Sequence, residues 1–162
     1  MKRIQAGCAA VASVVLMIPS AGAEISAEAA RASVAPFYKA LNAEFARESP
    51  ELIKQSTTAH WVSCRSNDVC NTREEVIAGI GQRLKAIPDL RWEIKHVLVA
   101  GNQVTVRGEA TGTPAADFMG VPYTGKSFTL MSIDVHTLEG GKMVRSYHIE
   151  DWLGAVRQLS SN

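Results

Sequence analysis

The stretches LRWEIKHVLVAGNQVTVRGEAT (residues 90–111) and KSFTLMSIDVHTLEGGKMVRSYHI (residues 126–149) decide the fold. Within them apolar and polar side chains alternate with a period of two, the spacing at which successive residues of an extended chain face opposite ways. The runs 90–100, 103–111, 126–138 and 142–149 therefore read as strands. They are broken at Gly101 with Asn102, at a long loop, and at Gly140 with Gly141. Breaks as short as the first and last suit an antiparallel meander.

Ahead of these strands the period lengthens to that of a helix. Ala30, Val34, Phe37, Tyr38, Leu41 and Phe45 predict one amphipathic helix over 26–47, begun by Ser26 and containing Pro36. Pro50 opens a short helix to about Gln55, and His60, Trp61 and Val62 suit a brief strand. Thr72 and Glu75 stand at capping-box spacing before Val76, Ile77, Ile80 and Leu84, so a helix runs from there to Ala86 and stops at Pro88. Residues 152–159 suit a last helix. Helices followed by a meander make an α+β layout, in which the twisted sheet offers a concave side for the helices to cover and a hollow between the layers.

A length of 162 residues with 46% hydrophobic and 20% charged side chains fits one folded domain. Lys2 and Arg3, an apolar run over residues 9–18, and Ala21, Gly22 and Ala23 form a secretory signal, which predicts a signal peptide over 1–23 and a domain over 24–162. Export to the periplasm or beyond is expected. The apolar run is shorter than the roughly 20 residues that span a bilayer, so no membrane association is expected after cleavage. Losing Lys2 and Arg3 would turn the formal charge from +1 to −1, which leaves no basic footprint for nucleic acid. Cys8 would leave with the signal. Cys64 and Cys70, separated by a turn-like Ser66, Asn67 and Asp68, are expected to pair in an oxidising compartment; a reactive or metal-binding thiol pair is the alternative.

Thr111, Gly112 and Thr113, then Phe118, Met119, Gly120, Val121 and Pro122, then Thr124, Gly125 and Lys126 resemble a signature loop of the SnoaL-like polyketide cyclases. Gly141, Lys142, Met143 and Val144, with Asp151, Gly154, Arg157, Gln158 and Leu159, resemble that family's closing strand and C-terminal helix. The likeness extends over residues 88–159. It implies a nuclear transport factor 2-like cone: a curved antiparallel sheet packed by N-terminal helices, with a short C-terminal helix and usually a dimeric assembly. It also implies intramolecular aldol chemistry without metal or cofactor, which needs a base beside an acidic C–H and a donor at the developing oxyanion.

By this resemblance the family's acid/base aspartate falls on His148 and its partner histidine on Asp134, so the two residue types are exchanged. His148 is then the expected base, and Asp134 its orienter. Asp151 matches a further family aspartate, with an N-cap as its structural reading. Arg107, Trp61, Tyr147, Phe118 and Met119 are the expected substrate contacts, the substrate being a small apolar carbonyl compound. Arg145 and Tyr147 replace acidic and tryptophan positions common in the family.

Asp134 and His148 share a face only if the hairpin loop at Gly140 holds an odd number of residues; a two-residue loop would separate them. If they share the pocket face, Met131, Ile133, Val135, Met143, Tyr147 and Ile149 lie on the other face, and a second subunit would cover it. The competing arrangement turns Tyr147 and Arg145 inward. Asp134, His136, His148 and Glu150 alternate along their strands as a metal cluster would, but four convergent ligands need a register that the sequence does not give, and no metal is the expectation. A non-catalytic module holding a hydrophobic ligand is the alternative function, and a hydrolase or isomerase would use the same residues.

Overall fold

The computed structural model describes residues 25–161; the expected signal peptide and Cys8 lie outside them. Among the described residues the order is α1 (Ala27–Ala40), a 3₁₀ turn (Ala43–Phe45), α2 (Ser49–Ser56), β1 (Thr57–Cys64), β2 (Cys70–Thr72), α3 (Arg73–Ala86), β3 (Arg91–Ala100), β4 (Gln103–Gly112), β5 (Phe128–Glu139), β6 (Lys142–Glu150) and α4 (Trp152–Ser160). None of these helices is long and apolar enough to cross a membrane.

The strands form one sheet in the order β2-β1-β6-β5-β4-β3. The four expected strands are its antiparallel meander. The sheet as a whole is mixed, which corrects the antiparallel reading: β1 is longer than His60–Val62 and lies parallel to β6. Its partner is some 80 residues away in sequence, beyond the reach of local pattern.

The first helix also stops earlier than its apolar spacing predicts. Asn42 ends it, because its side-chain amide donates to Tyr38 O at 2.7 Å and its Oδ1 accepts from Trp92 N at 2.8 Å. This bond ties the end of α1 to β3, and so fixes Tyr38 and Trp92 relative to each other. α3 begins on the predicted capping box, with Thr72 N bonded to Glu75 Oε2 at 2.7 Å.

The concave face carries Trp92, Val104, Val106, Ala110, Leu130, Asp134, His136 and Ser146, all buried. The convex face is uncovered. Leu98 is 58% exposed, Met131 53% and Ile149 70%. Met143 does not join them, as expected from simple alternation, but is fully buried.

The reason is the β5–β6 hairpin. Its loop is the two-residue Gly140–Gly141, with Glu139 opposite Lys142, and both glycines have positive φ, at 56° and 77°, as this tight turn demands. Alone, that loop would part Asp134 from His148. A bulge at Val144, where the register slips between Thr137↔Arg145 and Leu138↔Met143, adds the missing residue. Asp134 then stands directly opposite His148, and Met143 turns inward.

Cys64 and Cys70 are disulfide-bonded and stand opposite each other in β1 and β2. β2 is only three residues long and leads straight into the α3 cap, so the bridge secures the start of that helix. Replacing both cysteines by alanine is expected to lower stability by about 2 kcal/mol, the entropy of opening so short a loop. Urea unfolding checks this, and an unchanged midpoint would show that the bridge stabilises nothing.

Candidate active site

A cavity of about 110 Å³ opens between the concave sheet and α3. Phe37, Leu41, Val76, Ile80 and Trp92 supply its apolar wall. Ser63 and Asn71 from the disulfide-linked strands, Arg83, and the strand residues Asp134, His136, Ser146, His148 and Glu150 supply its polar wall. At Gly79 on α3 a Cβ would meet nothing within 4 Å, so this glycine keeps the helical side of the cavity open.

Asp134, His148 and Glu150 offer ligand or proton-transfer atoms that all lie within 4.8 Å of one another. Residues 148 and 150 share a face by the period of the strand, and the β5–β6 register brings Asp134 directly opposite His148 and Ser132 opposite Glu150. His148 Nδ1 bonds Glu150 Oε1 at 2.9 Å. This corrects one expected role: the group that orients His148 is Glu150, and Asp134 is left to other partners. As the Glu150 carboxylate can only accept, Nδ1 carries the proton and Nε2 is the nitrogen left for proton transfer.

The electrostatics separate these groups. Burial pushes the Asp134 carboxyl from an ordinary 3.8 to about 6; hydrogen bonds from Tyr38 and Ser132 and the His148 charge partly oppose it. The Glu150 hydrogen bond raises His148 above its ordinary 6.5 against the pull of burial. Burial also pulls upward on Glu150, yet His148 and Arg83 hold its pKa below the usual value. The same three residues could hold a divalent cation, at the cost of the present His148–Glu150 bond. His136 is engaged elsewhere, between Tyr38 and Ser146.

Beneath Asp134 lies a chain of buried polar groups. Trp61 Nε1 donates to Ser146 Oγ at 2.9 Å, Ser146 Oγ meets His136 Nδ1 at 2.7 Å, and His136 Nε2 meets the Tyr38 hydroxyl at 3.0 Å. One order of protons satisfies the ring: Ser146 donates to His136 Nδ1, and His136 Nε2–H donates to the Tyr38 hydroxyl. Complete burial lowers His136 to about 3, which keeps it neutral and in this role. Ser132 Oγ donates to Asp134 Oδ2 at 3.1 Å from the other side.

The other expected contacts do not line the cavity. Arg107 is exposed on the convex face opposite Ile133, and Tyr147 is on that face beside Arg145, as neighbours of inward residues must be. Trp61 is buried under Ser146 rather than on the cavity wall. Phe118 and Met119 lie in the loop after β4, where Phe118 and Val121 exchange backbone hydrogen bonds; Phe118 packs on Trp152 and Met119 is exposed. The signature loop thus seats α4. Asp151 caps that helix, accepting from Gly154 N at 2.8 Å, and is absent from the cavity wall. Glu150, Tyr38, Ser132 and Arg83 are the residues that sequence reasoning did not place as catalytic or substrate-binding; the i, i+2 spacing to His148 and Asp134 was the signal for two of them.

A cone of curved sheet and helices around a cavity on its concave face is a nuclear transport factor 2-like fold. Within that class the chain belongs to the SnoaL-like polyketide cyclase family, whose model matches residues 32–159. Solved structures agree. A protein from Jannaschia sp. CCS1 assigned as a SnoaL-like polyketide cyclase superposes with a TM-score of 0.72 at 20% identity, over 87% of this chain and 99% of its own. IdmH from Streptomyces antibioticus, assigned as a polyketide cyclase, gives 0.71 at 21% over 82% and 99%. AclR from Streptomyces galilaeus, assigned as a hydroxylase, gives 0.69 at 23% over 83% and 97%. At these identities the likeness speaks for the fold. No curated protein matches the chain.

Proposed function

We propose that the protein is an exported acid/base enzyme that needs no cofactor and acts on a small carbonyl compound, with Asp134 as proton acceptor and His148 as proton donor. The observation that carries this reading is the direct opposition of Asp134 and His148 on the cavity wall, with Glu150 holding His148 by Nδ1. The pKa directions reverse the roles expected from sequence. A carboxyl near 6 is mostly ionised at neutral pH, while an imidazole held above 6.5 keeps a larger protonated fraction. The mixed wall suits a substrate with an apolar edge and an oxygen that faces the strands. The Cys64–Cys70 bridge supports an oxidising compartment, in keeping with the signal over residues 1–23.

The test is α-hydrogen exchange. Small enolisable ketones and 1,3-diketones are incubated with the protein in D₂O, and deuterium uptake is followed by NMR across pH. The expected profile is a bell, rising through about pH 6 as Asp134 ionises and falling above pH 6.5 as His148 loses its proton. Ketones that bind in the cavity and yet exchange no faster than in buffer would leave a binding module as the better reading.

A homodimer is also proposed. The exposed Leu98, Met131 and Ile149, with Ile133 and Val135 between them, support it as an apolar patch that water solvates poorly. Ile149→Asp should convert a dimer into a folded monomer in light scattering, with circular dichroism unchanged. A wild-type protein that is monomeric at micromolar concentration would sink the proposal.

A further inference from the structure

Among the described residues one buried side-chain polar atom has no hydrogen-bond partner, and it is Trp92 Nε1. The residue is 5% exposed and forms part of the cavity wall. An indole N–H can only donate, and buried tryptophans nearly always find an acceptor. Trp61, buried on β1, does so at Ser146. The exception therefore calls for an acceptor that arrives from outside the protein.

The surroundings are built for this donor. Ser132 Oγ and Trp92 Nε1 lie 2.6 and 2.8 Å from the point that a Cβ at residue 108 would occupy, so only glycine there admits the indole edge. Ser132 Oγ in turn bonds Asp134 Oδ2 at 3.1 Å. The unpartnered donor thus stands one small side chain away from the proposed base, and Asn42 fixes it there through the Trp92 backbone.

We infer that Trp92 Nε1–H binds the carbonyl oxygen of the substrate, on the side of the cavity next to Asp134. This inference rests on the acid/base reading above and names its oxyanion donor. Asp134 takes the proton from the carbon next to the carbonyl; the C–H electron pair forms the new C–C double bond, and the carbonyl π pair moves onto oxygen. Trp92 keeps its proton and donates more strongly to that oxygen as its charge grows. The substrate class narrows accordingly to compounds whose acidic C–H is adjacent to a carbonyl, with the oxygen turned toward β3.

The test uses ¹⁵N-labelled mature protein and two probes of similar shape, phenol and toluene. The Trp92 indole resonance is identified by its loss in Trp92→Phe, which keeps an aromatic ring in place. With phenol it should move downfield and lose its exchange contact with water, while toluene should leave it in place. Trp92→Phe should weaken phenol binding about tenfold and toluene binding less than twofold, the difference made by one buried hydrogen bond. If His148 resonances report phenol in the cavity while the Trp92 signal stays put or keeps its water contact, the donor serves a resident water and the inference falls, with the acid/base reading untouched. If phenol at saturating concentration moves no cavity resonance, the cavity has no oxygen site and the inference falls as well. The acid/base reading itself is judged separately, by deuterium exchange.

Discussion

Asp134→Asn is expected to lower the exchange rate about a thousandfold and, at pH 7.5, to make the protein more stable. The loss follows from the role: an amide cannot accept the proton, and a positioned base contributes on the order of 10²–10⁴. The gain follows from burial. The carboxyl is 5% exposed, and its pKa stands at about 6 in the folded protein against an ordinary 3.8. A folded-state pKa raised in this way favours folding fully below pH 3.8, and that contribution is lost as the pH rises through about 6. At pH 7.5 the native protein therefore holds an ionised carboxylate that burial disfavours. Removing the charge should stabilise by about 2 kcal/mol, the shift converted at about 1.4 kcal/mol per pH unit and reduced for the polar amide that remains.

The pH dependence isolates the cause. Urea unfolding of both proteins at pH 7.5 and pH 5 should show the variant ahead at pH 7.5 and the gap narrowing at pH 5, where wild-type Asp134 is mostly protonated. His136 acts in the opposite sense. Its depressed pKa gives stability that is complete above 6.5 and is lost as the pH falls toward about 3, but this is common to both proteins and cancels in their difference. An asparagine variant less stable than wild type at pH 7.5 would mean that the carboxylate is solvated well enough to carry no such cost, and Asp134 would lose its claim to be a tuned base.

How far the sequence reaches can be judged residue by residue. The meander and α3 were legible because their signals are local: period-two alternation over residues 90–149 and the Thr72–Glu75 box. The end of α1 was not, since Leu41 and Phe45 keep helical spacing while the side chain of Asn42 diverts the backbone toward β3. Nor was the parallel pairing of β1 with β6, a contact between segments far apart in the chain. In the site, Asp134 and His148 were found through family likeness, but their shared face depended on the Val144 bulge, which no spacing rule announces. Arg107 shows the opposite failure. Alternation with the buried Val104 and Val106 puts it on the outer face, where a strand arginine most often lies, against the cavity contact that the likeness to relatives implies. Glu150 went unplaced as His148's partner for a physical reason: a carboxylate two residues along a strand is as common on a solvated edge as in a cavity, and only the closure of α3 and Arg83 over it decides the matter.

Glu150→Gln should then be the most telling change outside the proton-transfer pair itself. The glutamine keeps the length and can still accept from His148 Nδ1, but the charge that raises the imidazole is gone. The falling limb of the pH profile is expected to move toward lower pH by about one unit, consistent with the size of shift that a single paired charge produces. The rising limb should move the same way but less, because Glu150 is a lesser cause of the raised Asp134 pKa, after burial. At pH 7.5 the exchange rate should fall by up to about tenfold, since fewer molecules hold the protonated imidazole that the reaction needs, while Asp134 stays ionised in both proteins. NMR titration of the His148 ring checks the cause directly, and binding of phenol should change little. An unmoved falling limb, with the ring titrating as in wild type, would show that the 2.9 Å contact only orients the imidazole and leaves its proton affinity to other groups.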